Sequence, residues 1–331
     1  DYTGGGCPHI LAEPQRTNLV TYSEDFSDSS WIDSGVSITD NNATSPDGTL
    51  NASTINFSAS SQYLLRNQNI TFAIGDSISI SIYANTSTVG FLSFGGATPS
   101  GTDVANVETL SGGFYRHTVT RTFTASGTSV QFIIFDAAIG NYVIWGAQIE
   151  EGSYATSYIP TSGSTVTRNQ DIFTRDGIGS LIGQTEGTFF IELSKPVLNP
   201  DSYYLISLNN AAADSNANSV TIGFDSSSAD FYIRLESGGS TIYVDNNRAS
   251  LANTFYKIAV AYKSGQSLIY IDGSPITPNS GSLSGAFSFS ETLDNLSFDY
   301  DGNNSLPFYG NVRQLQVYDT ALTDEQLLQL T

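Results

Sequence analysis

Ile78-Ser79-Ile80-Ser81-Ile82 alternates apolar and polar side chains with period two, the signature of a strand with one face in a core. The pattern spreads outward from there. Tyr115, His117, Val119, Arg121 and Phe123 alternate with Arg116, Thr118, Thr120 and Thr122, and residues 130–135 and 142–149 read as two more strands. A second strand set occupies 188–193, 203–208, 220–224, 231–235, 241–244, 255–262, 268–271 and 312–318. Clusters of Gly, Ser, Asn and Asp lie between these runs, as turns require. Many short strands with turn signals predict sandwiches or barrels. Helical periodicity is confined to 320–330, where Thr323 and Gln326 make a capping box and Leu327, Leu328 and Leu330 supply an apolar side.

The 331 residues suit two domains. The Pro-, Gly- and Ser-containing stretch 152–170 reads as the linker, so the expected division is 1–168 and 169–331. The formal charge of −20 makes phosphate backbones and anionic membrane surfaces poor partners, and no apolar run is long enough for a membrane span. Serine (46) and threonine (33) dominate a weakly charged chain with three Lys and no Met. That surface fits an extracellular or virion-borne protein, processed or part of a longer chain. Cys7, the single cysteine, has no internal disulfide partner.

Three strings in the first half carry a family resemblance: EPQRTNLVTYSEDFSDSSW (13–31), SPDGT (45–49) and VIWGAQIEEGSYATSYIPTSGSTVTR (143–168). They resemble the carbohydrate-binding-module-like jelly roll of phage tail and virion proteins. FYKIAVAYKSGQSLIYIDGSPI (255–276) and YGNVRQLQVYDTALTDEQLLQL (309–330) resemble the laminin-G/concanavalin A-like jelly roll. The fold class expected is therefore all-β: two tandem jelly-roll β-sandwiches with one short C-terminal helix. The resemblances imply adhesive or display modules on a virion or tail and no catalysis. They also suggest a homotrimer.

The residues agree about catalysis. Glycoside hydrolysis needs two carboxylates flanking the sugar bond. Neither a Glu-x-Asp-x-x-Glu string nor a Gly-x-Ser-x-Gly elbow occurs, and Glu150 and Glu151, being adjacent in a strand, would face opposite sides. His9 and His117 stand outside any metal-ligand spacing. Glycans are the expected partner, since aromatic faces stack on sugar C–H faces while Arg, amides and carboxylates bond the hydroxyls. With Phe231, Ile233 and Leu235 inward, Tyr232, Arg234 and Glu236 face out. Tyr243 is expected beside them, with Gln314 or Gln316 nearby. The competing reading places these residues at a packed edge or a covered face. Trp31 and Trp145 are expected in the core.

Asp299, Asp301 and Asn303 offer alternate oxygen ligands around Gly302, the ingredients of a calcium loop, against the simpler reading of a solvated acidic turn. Glu24 and Asp25 fall where related sugar-binding jelly rolls place a structural calcium ligand. The usual partner acids are replaced here by Gly146-Ala147-Gln148. Arg313 stands where many laminin-G-like members carry an acid, so the resemblance does not extend to their occasional metal site. Structural calcium is the one cofactor candidate. The Gly-rich arm 1–8, with Tyr2, Cys7 and nearby Ile10 lacking a local strand partner, is the expected junction to another copy or to a particle protein.

Overall fold

A computed structural model describes residues 9–135, 138–196, 204–210, 217–225, 230–302 and 304–331. It is all-β apart from one 3-10 turn and the helix Asp324–Leu330, and its two compact units each have their own core. Gln15–Asn169 form one unit; Gln170–Thr331 with residues 9–14 form the other.

The unit Gln15–Asn169 pairs a six-stranded antiparallel sheet with a four-stranded one. The first runs Ser37–Ala43, Ala52–Phe57, Gly140–Glu151, Ser77–Ala84, Tyr115–Phe123, Gly101–Thr109; the second runs Trp31–Ser34, Tyr63–Phe72, Gly127–Phe135, Leu92–Phe94. Ile78, Ile80 and Ile82 share a core with Val130, Phe132 and Ile134, as the alternation requires. Ser79 and Ser81 are buried as well, so this strand is covered on both faces. Ser79 Oγ donates to the carbonyl of Gly152 (2.9 Å), and Ser81 Oγ accepts from Arg116 (3.2 Å). The cover is the stretch expected to be a linker.

That stretch is clasped by buried polar groups. Glu150 accepts from Thr156 N (2.7 Å), Thr156 Oγ1 (2.7 Å) and Gln148 Nε2 (2.8 Å). Gln148 Oε1 accepts from Ile159 N (2.8 Å). Asn18 Nδ2 donates to the carbonyls of Ala147 (3.1 Å) and Ile159 (2.8 Å), and Val166–Arg168 pairs with Arg16–Asn18. In the SPDGT string, Asp47 Oδ1 accepts from Thr49 N (2.8 Å) and Thr49 Oγ1 (2.7 Å), closing a turn at Gly48. The bond from Ser45 Oγ, and after it those from Thr49, hold the Asp47 carboxyl below its usual pKa. All three recognisable strings are thus folding devices.

Trp31 packs in the core on Phe26 and Phe132. Trp145 is buried as expected, though on a different face from Trp31. It is 6% exposed but lies outside the core cluster, against Tyr158 (4.5 Å between rings) and Tyr83 (5.2 Å). The register shifts between Trp145 and Gln148, where Gly146 takes φ +67°. The bulge lets Ile144 and Ala147 both point inward and turns Trp145 to the other face.

His117 is 2% exposed, and its Nε2 donates to the carbonyl of Thr86 (2.6 Å). Burial depresses its pKa, with the Thr86 bond opposing. Unfolding at acidic pH therefore takes up a proton. This contribution to stability is full above the ordinary value of 6.5 and falls as pH drops below it, until the depressed folded value is reached. Both tryptophans lie in this unit. Urea midpoints followed by tryptophan fluorescence are expected to fall between about pH 7.5 and 5.5, and to fall less in His117→Gln. Equal pH slopes in the two proteins would count against it.

The unit Gln170–Thr331 packs a seven-stranded sheet on a six-stranded one. The first runs Thr174–Arg175, Asn295–Ser297, Tyr204–Asn209, Ser219–Phe224, Phe231–Ser237, Ser240–Asp245, Ser280–Gly281; the second runs Ile10–Ala12, Gly310–Tyr318, Glu186–Ser194, Tyr256–Lys263, Leu268–Ile271, Ser274–Pro275. Phe189, Ile191 and Leu193 meet Ile206, Ile222, Ile233 and Leu235 in its core. The C-terminal helix caps the outer face of the six-stranded sheet through Leu327, which joins Phe190, Ala259, Ala261 and Tyr270. Its capping box is formed as read. Leu328 is 58% exposed, because neighbours in a helix cannot share a face.

Ile10–Ala12 corrects the expected boundary. It pairs with Gly310–Tyr318, Ile10 opposite Val312, so this segment belongs to the second sandwich. Its partner is three hundred residues away and invisible to local reading. Tyr2 and Cys7 lie outside the described residues.

Candidate functional site

Arg234 organises the polar cluster on the outer face of the seven-stranded sheet. Phe231, Ile233 and Leu235 enter the core, which leaves Tyr232, Arg234 and Glu236 on the other side, as the alternation predicts. The Arg234 guanidinium donates to Glu236 Oε1 (2.6 Å), Thr241 Oγ1 (2.7 Å), Tyr232 Oη (3.2 Å) and the Tyr300 hydroxyl. Tyr300 in turn donates to Glu236 Oε2 (3.3 Å), and its ring stands edge-on to that of Tyr232.

The electrostatics follow from this packing. Burial works against the Arg234 charge, but Tyr232, Tyr300 and Glu236 outweigh it and raise its pKa. Burial pushes Glu236 up, with Arg234 opposing, and pushes the Tyr300 phenol well above its usual range. The Arg234 side chain keeps 22% of its surface exposed, against 8% for Glu236. The guanidinium thus fixes both phenols through one nitrogen and Glu236 and Thr241 through the other. Its Nε is buried with no hydrogen-bond partner.

Tyr243 is not part of this face. It is fully buried in the core, where burial raises its phenol pKa. A bulge between Leu235 and Glu236 sets the register so that Tyr243 opposes inward-facing Leu235, while Val244 opposes Arg234. Gln314 and Gln316 are also elsewhere. They oppose Glu192 and Phe190 in the six-stranded sheet, whereas Tyr232 and Arg234 belong to the seven-stranded one. Tyr300 and Thr241 are the members that sequence reasoning missed. Tyr300 was hidden inside an acidic turn, and Thr241 joins only through the bulge.

That turn is built around Asp299, 5% exposed, whose carboxylate accepts from Gly302 N (2.6 Å), Ser297 Oγ (2.7 Å) and Asn304 N (2.8 Å). Asp301 is half-buried in the same turn, and Asn303 lies outside the described residues. In the other unit Glu24 accepts from Tyr158 Oη (2.9 Å) and Asn51 Nδ2 (3.0 Å), while Asp25, exposed, accepts from Ser27. No group of three or more His, Cys, Asp or Glu suited to a metal occurs among the described residues. With its carboxylate already taken by three donors, the Asp299 turn is expected to keep its melting temperature when calcium is chelated. Calorimetry with and without EDTA checks this.

Residues 197–328, under half of the chain, match the family model of the concanavalin A-like lectin/glucanases superfamily. This concanavalin-like stretch contains the whole Arg234 cluster. A search of curated proteins returns no match. Among solved structures, the chain is similar to the Ruminococcus gnavus IT-sialidase CBM40 bound to alpha2,3 sialyllactose, at 17% identity over 45% of this chain and 83% of that one (TM-score 0.38). It is also similar to domains LG4-5 of the mouse laminin alpha1 chain, at 11% identity over 94% and 91% (TM-score 0.29). A third likeness is to a SAP-like pentraxin of Limulus polyphemus, at 16% identity over 45% and 70% (TM-score 0.33). Likenesses this loose do not bear on function. No helix among the described residues is long and apolar enough to cross a membrane.

Proposed function

We propose that this chain is a non-enzymatic, extracellular glycan-binding protein, and that its concanavalin-like stretch takes sugar on the face of Tyr232, Arg234, Glu236 and Tyr300. The observation that carries this reading is a partly exposed polar cluster in which one guanidinium fixes two phenols, a carboxylate and a hydroxyl. Such a cluster offers hydroxyl and carboxylate oxygens to sugar hydroxyls without losing rotamer freedom on binding, and the partly exposed Tyr300 ring offers an apolar face. Hydrolysis would need a second carboxylate across a cleft. In this cluster the one carboxylate, Glu236, is held by Arg234 and Tyr300. The finer setting, display on a virion or tail, rests on the resemblance of the strings at 13–31, 45–49 and 143–168.

A glycan array probed with the whole chain is expected to give discrete hits, and Arg234→Ala to weaken them at least about tenfold. Blank arrays, or release of reducing ends from a polysaccharide, would overturn the reading.

A structural part in a particle is the second reading. It is favoured by the strand Gly101–Thr109, which among the described residues pairs only on its Tyr115–Phe123 side and leaves Val104 68% exposed. Such an edge is a template for another chain. Light scattering is expected to show a homotrimer if copies of this chain assemble; a 35 kDa monomer would leave the edge to a different partner.

A further inference from the structure

A groove of about 520 Å³ opens in the second sandwich beside the edge strand Thr174–Arg175 of the seven-stranded sheet and the end of the strand Gly310–Tyr318 of the six-stranded sheet. Its apolar lining is Ile178, Leu181 and Val317, with Leu181 61% exposed. Arg175, Tyr318 and Asp319 add polar groups. The volume is within the range of small-ligand sites.

Arg175 sets this groove apart. The chain has nine arginines. Arg16, Arg121, Arg234, Arg248 and Arg313 are each ion-paired with a carboxylate. Arg66, Arg116 and Arg168 donate to hydroxyl or carbonyl oxygens. Arg175 alone has neither an ion pair nor a side-chain hydrogen bond among the described residues, in a protein with a formal charge of −20. Its backbone is fixed by pairing with Leu296. Asp319, exposed, has no side-chain partner among the described residues either. The Tyr318 hydroxyl donates to Gln316 Oε1, which leaves its oxygen free to accept.

We propose that this groove is a second site, separate from the Arg234 cluster, and that it binds a carboxylate-bearing sugar residue. The guanidinium of Arg175 takes the carboxylate in a bidentate pair. Ile178, Leu181 and Val317 receive the C–H face of the ring. Asp319 accepts from ring hydroxyls and Tyr318 Oη takes another. A simple fatty acid satisfies Arg175 and the apolar lining but brings no donor to Asp319. A neutral sugar satisfies Asp319 but leaves Arg175 unpaired.

Titration of the whole chain with glucuronate, glucose and hexanoate, followed by NMR or calorimetry, tests this. Glucuronate is expected to bind at least about tenfold more tightly than either of the others, and to weaken with added salt. Arg175→Gln, at an exposed position, is expected to erase the preference for glucuronate over glucose. Arg234→Ala is expected to leave it intact, so failure at one site is read separately from failure at the other. Equal affinity for glucuronate and glucose, hexanoate binding as tightly as glucuronate, an unaltered preference in Arg175→Gln, or no binding at all would each overturn the proposal.

Discussion

Replacing Glu150 by Ala is expected to remove about 3–5 kcal/mol from the unit Gln15–Asn169, the cost of leaving buried partners without their charge. The carboxylate is 1% exposed and holds Thr156 through two bonds and Gln148 through a third, with Arg16 at 3.8 Å. Without it, Thr156 N and Oγ1 lose their acceptor, Arg16 loses its ion partner, and the covering segment 152–161 loses its main anchor. That loss is a large fraction of a domain's usual stability. Glu150→Gln keeps one acceptor oxygen for Thr156 and should cost about half as much. Urea unfolding followed by tryptophan fluorescence reads this unit, since it holds both Trp31 and Trp145. A shift under about 1 kcal/mol for Glu150→Ala would show that the clasp is dispensable.

Asp299→Ala is expected to have the second largest effect, about 3 kcal/mol on the concanavalin-like unit, because two backbone N–H groups and one hydroxyl lose a charged acceptor together. The turn it organises carries Tyr300, so the Arg234 cluster loosens with it. Glycan hits are expected to weaken in parallel with the stability loss. Arg234→Ala, in contrast, is expected to weaken binding with a smaller change in stability. Circular dichroism at the urea midpoint reads the first effect. The tryptophan transition should stay in place, since the two units have separate cores and the tryptophans belong to the other one. Full glycan binding by a destabilised Asp299→Ala would detach Tyr300 from the site.

The strands were legible because period-two alternation is a local property of the backbone. Ile78 to Ile82 and Phe231 to Leu235 needed only their own neighbours to be placed. The capping box at Thr323 was legible for the same reason. Bulges were not. One extra residue beside Gly146 carried Trp145 to the opposite face, and the extra Ile242 opposite the step from Leu235 to Glu236 carried Tyr243 into the core. Lys195 was no more legible. A lysine 1% exposed, with its ammonium 4.6 Å from the centre of the Phe224 ring, has no signature in its neighbours. Burial lowers its pKa to about 8.

What the sequence by itself determined is therefore the all-β class, most strand positions, the helix cap and the outward set Tyr232, Arg234 and Glu236, each fixed by interactions within a few residues. Only the tertiary structure decided which sheet each strand joined. It put Gln314 and Gln316 on the opposite sheet from Arg234, moved Ile10–Ala12 into the second sandwich, and made a clasp of the expected linker. It also brought Tyr300 and Thr241 to Arg234 and left Arg175 at a groove with no side-chain partner among the described residues. The physical reason is range. Alternation is written into adjacent side chains, whereas register, sheet order and charge pairing depend on contacts between residues tens to hundreds of positions apart, and one bulge reverses every face beyond it.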